Sequence, residues 1–369
     1  MNKPERILII SNTIDAGGAE TFVMKVFRNI DRGQFVFDFL INKKDSSFYL
    51  NEINQLGGKV YCGYSKSVNL FKSFKFIYQT VKENQYRIVF CIAVHPIGFI
   101  DLLAAKLGGA KRLLIRSTNS RAGGSMSLLA ARVSRPLTRT LADAMFAPSK
   151  EAGVWLFGAN AVANDRVRII NNGVDVGKFV YSEAMRQQVR QSLNLGTDEI
   201  VIGHIGRFNQ QKNHGKLIGI FSDIKKMCPN SILLLVGDGN FKSDIESLVS
   251  SLGLSDSVRF LGIRTDVAAL LSAFDAMVFP SLYEGMPNTI IEAQATDLSC
   301  VISDTISPDV KITRNVVFVS LTATDKEWAQ ITLDSIRKER CNQSNIIKQA
   351  GYDIQSTTED LIKYFVKKK

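Results

Sequence analysis

Short apolar runs separated by polar, helix-spaced stretches occupy almost the whole chain. Runs at 7–10, 35–41, 88–94, 113–115 and 144–147 have the length and content of buried strands. So do those at 200–205, 232–236, 258–261 and 276–279. Weaker strand signals stand at 60–61 and 167–170. Between them lie segments of helical period. In 69–83, Leu70, Phe74, Ile77 and Val81 recur at spacings of four, three and four, beside Lys72, Lys75 and Lys82. That stripe fits a core-facing helix with solvated lysines, and less readily a membrane-facing surface. Strand–helix alternation in both halves predicts an α/β protein with two doubly wound parallel sheets. Thr324 with Glu327, and Ser356 with Glu359, predict capping boxes that open the last two helices.

The stretch 274–296, FDAMVFPSLYEGMPNTIIEAQAT, places chemistry on this frame. The strand 276–279 stops at Pro280, a loop carries Tyr283, Glu284, Gly285 and Met286, and Pro287 opens a helix. Glu284 then lies beyond a strand's carboxyl end and Glu292 about a turn and a half into the helix. The amides of Asn288, Thr289 and Ile290 are expected to be unpaired, which makes an anion site. After the strand 200–205, the loop GRFNQQKNH sets Arg207, with Gly206 in front of it, five residues ahead of Lys212. A planar guanidinium fork and a point charge together suit a diphosphate. Near the N-terminus, Gly17 and Gly18 form a turn before a helix that lets backbone approach a ligand. The turn is not GxGxxG, so no dinucleotide fingerprint is present.

Glu284, seven residues, then Glu292, inside PSLYEGMPNTIIEAQA, resembles the paired-glutamate signature of the family 4 retaining glycosyltransferases. The likeness extends from residue 7 to about residue 308. It implies the GT-B arrangement, two Rossmann-like domains facing across a cleft that holds the active site. An Asn-Gly-Val-Asp similar to Asn172–Asp175 closes the first domain in that family. The expected division is therefore 1–175, with a terminal helix in 355–369 returning to it, and 176–354.

The resemblance also implies roles. Arg207 and Lys212, with Gly206, would hold and neutralise the donor diphosphate. Glu284 would lie at the transferred sugar and Glu292 on the nucleotide ribose, with Gly285, Met286, Asn288 and Thr289 around them. Gly262 and Arg264 would border the base, and Gly17 and Gly18 the sugar and the acceptor. Relatives often carry a catalytic, sugar-contacting histidine ending the strand that here contains Cys91. His95 falls a few residues late, and either replaces that histidine or caps the strand before Pro96. Where relatives have glycine and proline after the second glutamate's helix, this chain has Asp297 and Ser299, a less comfortable helix stop. The implied activity is a metal-independent, retaining transfer of a hexosyl or N-acetylhexosaminyl group from a nucleotide sugar, with UDP the expected nucleotide. No cofactor other than that donor is expected. The acceptor would be a lipid-linked or growing surface polysaccharide, such as lipopolysaccharide or capsule. An epimerase of similar fold and a silent nucleotide-sugar-binding subunit are the rival readings.

Composition adds a compartment and a partner. No apolar run approaches the roughly 18 to 20 residues of a membrane span, and 2–6 is polar and leads straight into a strand, so a cytoplasmic protein is expected. Five scattered cysteines lack metal-ligand spacing and read as reduced core residues. The net charge of +11 is uneven, with 24 Lys and Arg against 12 Asp and Glu in 1–172, and 22 against 23 in the remainder. Such asymmetry predicts an anionic membrane surface met by the first domain, through Arg121, Arg132, Arg135, Arg139, Lys72 and Lys75. No nucleic-acid partner is expected.

Overall fold

The computed structural model describes residues 3–15, 17–42, 47–93, 95–118, 125–337 and 339–366. Arg121 lies outside them. The chain forms two compact units, one of 1–173 with 354–369 and the other of 174–353.

In the first unit seven parallel strands run β1 Glu5–Ser11, β2 Phe35–Ile41, β3 Val60–Cys62, β4 Ile88–Ala93, β5 Arg112–Ser117, β6 Ala144–Ala147 and β7 Val167–Ile169. Their order is β3-β2-β1-β4-β5-β6-β7. Alternate residues of β1 feed opposite cores. Ile7 and Ile9 join Phe37 and Phe90 under helices Gly18–Asn29 and Ile354–Val366. Leu8 and Ile10 join Val89 and Leu113 under helices Leu70–Glu83 and Phe99–Leu107. A sheet covered on both faces explains why its strands read as unbroken apolar runs.

In the second unit six parallel strands run β8 Ile200–Ile205, β9 Ser231–Val236, β10 Val258–Gly262, β11 Ala276–Phe279, β12 Ser299–Ser303 and β13 Val316–Val319. They lie in the order β10-β9-β8-β11-β12-β13. Gly203 sits mid-strand because a Cβ there would meet the Phe274 ring at 1.9 Å.

Several local expectations change. The sequence pattern did not reveal β12 or β13. Thr324 and Glu327 do form a reciprocal capping box at helix Asp325–Ser335. The last helix instead begins at Ile354, so Ser356 lies within its first turn and is no cap. All five cysteines are free, but only Cys91 and Cys300 are buried; Cys62 and Cys341 are exposed, so they are not core residues. Among the described residues no helix is long and apolar enough to cross a membrane.

Candidate active site

Strand order locates the crevices before any side chain is considered. In the second unit the direction of strand addition reverses between β8 and β11. Ligands of open α/β sheets bind beyond the strand ends at such a switch point. The loops leaving β8 and β11 are the two that carry Gly206 to Lys212 and Glu284 to Met286. They are laced together: Leu282 N donates to Gln211 O at 2.8 Å, Gln211 Nε2 to Tyr283 O at 2.9 Å, and Asn213 Nδ2 to Pro280 O at 3.1 Å. Asn209 accepts from Lys212 N at 3.1 Å, and Asn213 takes a left-handed φ of 53° to start helix His214–Met227.

This lacing brings Lys212 Nζ to Glu284 Oε1 at 2.6 Å, with side chains 16% and 13% exposed. The same ammonium lies 4.3 Å from the centre of the Phe279 ring. A column of rings continues beneath it. Phe279 stacks on His204 at 5.1 Å, His204 meets His214 edge-on at 4.8 Å, and His214 stacks on Phe208 at 4.2 Å. His204 Nδ1 bonds Val278 O at 2.9 Å. Burial first, then the neighbouring His214, pushes His204 well below its ordinary range. Burial, then the Lys212 charge, lowers His214 to about 4. Both rings are therefore neutral near pH 7, and Lys212 is the cation this layer presents. Arg207, five residues earlier on the same loop, is exposed, and its guanidinium has no partner among the described residues. A Cβ on Gly206 would sit 2.9 Å from His204 Nε2 and 3.2 Å from the Lys212 stem, so glycine is required for Lys212 to lie where it does.

Helix Asn288–Ala295 supplies the other wall. Ile290 N donates to Pro287 O at 3.0 Å, which corrects the expectation of three open amides; those of Asn288 and Thr289 remain in the first turn, where no intrahelical acceptor exists. Asn288 Oδ1 is buried without a partner among the described residues. Glu292 is 9% exposed. Gln294 secures the helix from behind, accepting from Ile312 N and Thr313 N at 2.9 Å each and donating to Val310 O at 2.8 Å. Met286 turns its sulfur toward Tyr352 Oη at 3.4 Å, so its side chain serves the core. Further along the sheet, Gly262 has φ 67° and accepts from Gly237 N at 2.8 Å. Arg264 holds Asp266 through two bonds of 2.8 and 2.6 Å, and this bidentate contact lowers the Asp266 carboxyl below its usual range.

In the first unit the reversal falls between β1 and β4, and Gly17, Gly18 and His95 follow those strands. A Cβ at Gly17 would meet Glu20 Oε2 at 2.3 Å, while Thr13 Oγ1 donates to Glu20 Oε1 at 2.9 Å. A Cβ at Gly18 would meet nothing within 4 Å, so packing does not require glycine there. His95 is exposed, and its side chain makes no cap bond to the short turn Pro96–Gly98 that follows it.

Two family models match the chain, Glycosyltransferase Family 4 over 16–178 and Glycosyl transferases group 1 over 185–352. The putative glycosyltransferase EpsF of Bacillus subtilis is 31% identical over 372 residues, which cover 98% of this chain and 96% of EpsF. The chain is a family 4 glycosyltransferase. Over 142 residues, 38% of this glycosyltransferase and 37% of the relative, it is 33% identical to the Escherichia coli UDP-Gal:alpha-D-GlcNAc-diphosphoundecaprenol alpha-1,3-galactosyltransferase. Its fold matches that of Anabaena HepE, solved with UDP and glucose, with a TM-score of 0.77 at 19% identity, covering 97% of this chain and 98% of HepE. WaaG, a glycosyltransferase involved in lipopolysaccharide biosynthesis, matches with a TM-score of 0.72 at 12% identity, covering 98% and 100%. These are GT-B structures, and the expected fold class of two parallel-sheet α/β domains holds.

The pattern of this glycosyltransferase's sequence did not reveal the ring column. Phe208, His204 and Phe279 stand on different elements, and the one available signal was His214 directly after the Lys212–Asn213 pair.

Proposed function

We propose that the chain is a retaining, metal-independent transferase that moves a hexosyl or N-acetylhexosaminyl group from a UDP-sugar to a lipid-linked or growing surface polysaccharide. The observation that carries this reading is the Lys212–Glu284 pair at the β8/β11 switch point, with unpartnered Arg207 on the same loop as Lys212. Cleaving a sugar–diphosphate bond leaves charge on the leaving diphosphate and a positive centre on the sugar. Lys212, held in place by Glu284, with Arg207 from the same loop and the Asn288 and Thr289 amides, answers the first, and the Glu284 carboxylate the second. Glu292 takes the ribose, Gly206 and Gly285 give backbone room, and Gly262 and Arg264 border the base. Gly17 and Gly18 border the sugar and the acceptor, and His95 takes the place of the family's sugar-contacting histidine in catalysis. The Escherichia coli relative, named for a UDP-sugar donor and a diphosphoundecaprenol-linked acceptor, supports the substrate classes.

A thermal-shift screen of UDP-, GDP- and ADP-sugars tests the donor. UDP-sugars at about 100 times their dissociation constant are expected to add roughly 2.7 kcal/mol, and Glu292→Gln to remove most of that shift. A response to GDP- or ADP-sugars alone would overturn the UDP assignment.

The reading includes peripheral attachment of the first unit to the inner face of an anionic membrane. Arg132, Lys72 and Lys75 are exposed. Arg135 donates to Trp155 O at 2.8 Å and Arg139 to Arg135 O at 3.2 Å, both part-buried, which makes them weaker contributors than their spacing suggested. In compensation Val68 and Phe71, 84% and 77% exposed, stand next to Lys72. Each basic side chain near an anionic leaflet contributes about 1 kcal/mol, within a Debye length. Co-sedimentation with anionic liposomes is expected at low salt and to fall at high salt. Reversing Arg132, Lys72 and Lys75 to Glu should abolish it. Equal binding to neutral liposomes, or no effect of the reversal, would contradict the attachment.

A further inference from the structure

The protein by itself satisfies Lys212 with Glu284, and that pairing bears on which nucleotide the site prefers. Resting on the reading that Lys212 takes the donor diphosphate, we propose that Glu284 discriminates the intact donor from the spent nucleotide by competing for the Lys212 ammonium. The two side chains meet at 2.6 Å and are only 16% and 13% exposed, so neither is well solvated once they part. Among the described residues no second cation forms an ion pair with Glu284. A nucleoside diphosphate that draws Lys212 away leaves this carboxylate without its counter-ion, in poor solvent and beside new negative charge.

An intact nucleotide sugar differs at this point. Its sugar hydroxyls are donors, and a sugar placed against Glu284 replaces the lost ammonium with hydrogen bonds to the same carboxylate. The spent nucleotide offers no such donors. The penalty therefore falls on UDP and not on the donor. After transfer, Glu284 recovers Lys212 as the sugar departs, which favours release of UDP. Lys212 need not lose all support during the exchange, because the Phe279 ring face lies 4.3 Å from its ammonium. His204, bonded to Val278 O at 2.9 Å, backs that ring.

Isothermal titration of UDP tests the proposal with Glu284→Gln, Lys212→Met and the double variant, each first checked for an unchanged melting profile. Glu284→Gln is expected to bind UDP about tenfold more tightly than the wild type. Its preference for an intact donor over UDP is expected to fall, measured with whichever of UDP-glucose, UDP-galactose and UDP-N-acetylglucosamine the wild type binds best. On the Lys212→Met background the glutamine should give no tightening. Glu284→Ala serves as a second variant, since it also removes the charge, and should tighten UDP in the same direction. Unchanged or weaker UDP binding by both Glu284 variants would overturn the competition, and so would a tightening that survives Lys212→Met. If Lys212→Met weakens UDP while neither Glu284 variant tightens it, the competition alone fails and the diphosphate reading stands. If Lys212→Met leaves UDP binding untouched, or the wild type binds none, the diphosphate reading itself fails.

Discussion

Replacing Lys212 with Ala is expected to lower kcat by roughly 10²- to 10³-fold, the usual result of removing a preorganised charge partner from a transition state. The effect should be larger than that of a surface cation because the ammonium is held from two sides. Glu284 Oε1 lies at 2.6 Å and the Phe279 ring at 4.3 Å, over neutral His204. Lys212→Arg should recover part of the rate, since charge is restored but the wider guanidinium does not repeat a point contact. Steady-state kinetics with saturating donor separates the possibilities. A loss confined to KM would mean that Lys212 binds ground state and transition state alike. A near-normal rate would remove Lys212 from the reaction.

The largest expected stability change lies behind the site. Helix Asn288–Ala295 ends with Asp297 N donating to Gln294 O and Leu298 N to Ala293 O, both at 3.0 Å, the paired bonds of a Schellman stop. Asp297 takes the left-handed position, φ 56°, that glycine usually fills. Its carboxylate, 1% exposed, accepts from Cys341 N at 2.7 Å, Gln343 Nε2 at 2.8 Å and Asn315 Nδ2. Two effects therefore oppose each other in Asp297→Gly. Relief of left-handed strain is worth about 1–2 kcal/mol, whereas a buried donor left unsatisfied costs about 1–3 kcal/mol. With three donors involved the second effect wins. Both Asp297→Gly and Asp297→Ala should lose about 3–5 kcal/mol, with alanine the worse. Chemical denaturation of the second unit measures this. A glycine variant as stable as the wild type would show that backbone freedom alone governs the position.

These residues also mark what could be read from the chain. Strands covered on both faces declare themselves as apolar runs, which is why β1, β2, β4, β8 and β9 were visible. The stretch GRFNQQKNH and the two glutamates were visible because they are local and chemically distinctive. Ser299–Ser303 and Val316–Val319 were missed, being runs of four or five residues with no alternation and serine at both ends of the first. The discomfort noted at Asp297 was real as backbone chemistry, but its remedy comes from Asn315, Cys341 and Gln343, which only the fold brings near. The ring column joins Phe208 to Phe279 across two strands, so no local pattern could show it. Arg135 and Arg139 looked like free surface charge because spacing along a helix does not show which carbonyls lie beside it.

The central claim is sugar transfer from a UDP-sugar, and the most direct measurement follows the sugar itself. The protein is incubated with a UDP-sugar in EDTA, with and without a polyprenyl-diphosphate-linked glycan acceptor, and the products are read by mass spectrometry and NMR. Expected are UDP release that requires the acceptor and a glycolipid one sugar longer, whose new linkage keeps the donor's anomeric configuration. Conversion of one UDP-sugar into another without acceptor, or a product of inverted configuration, would contradict it.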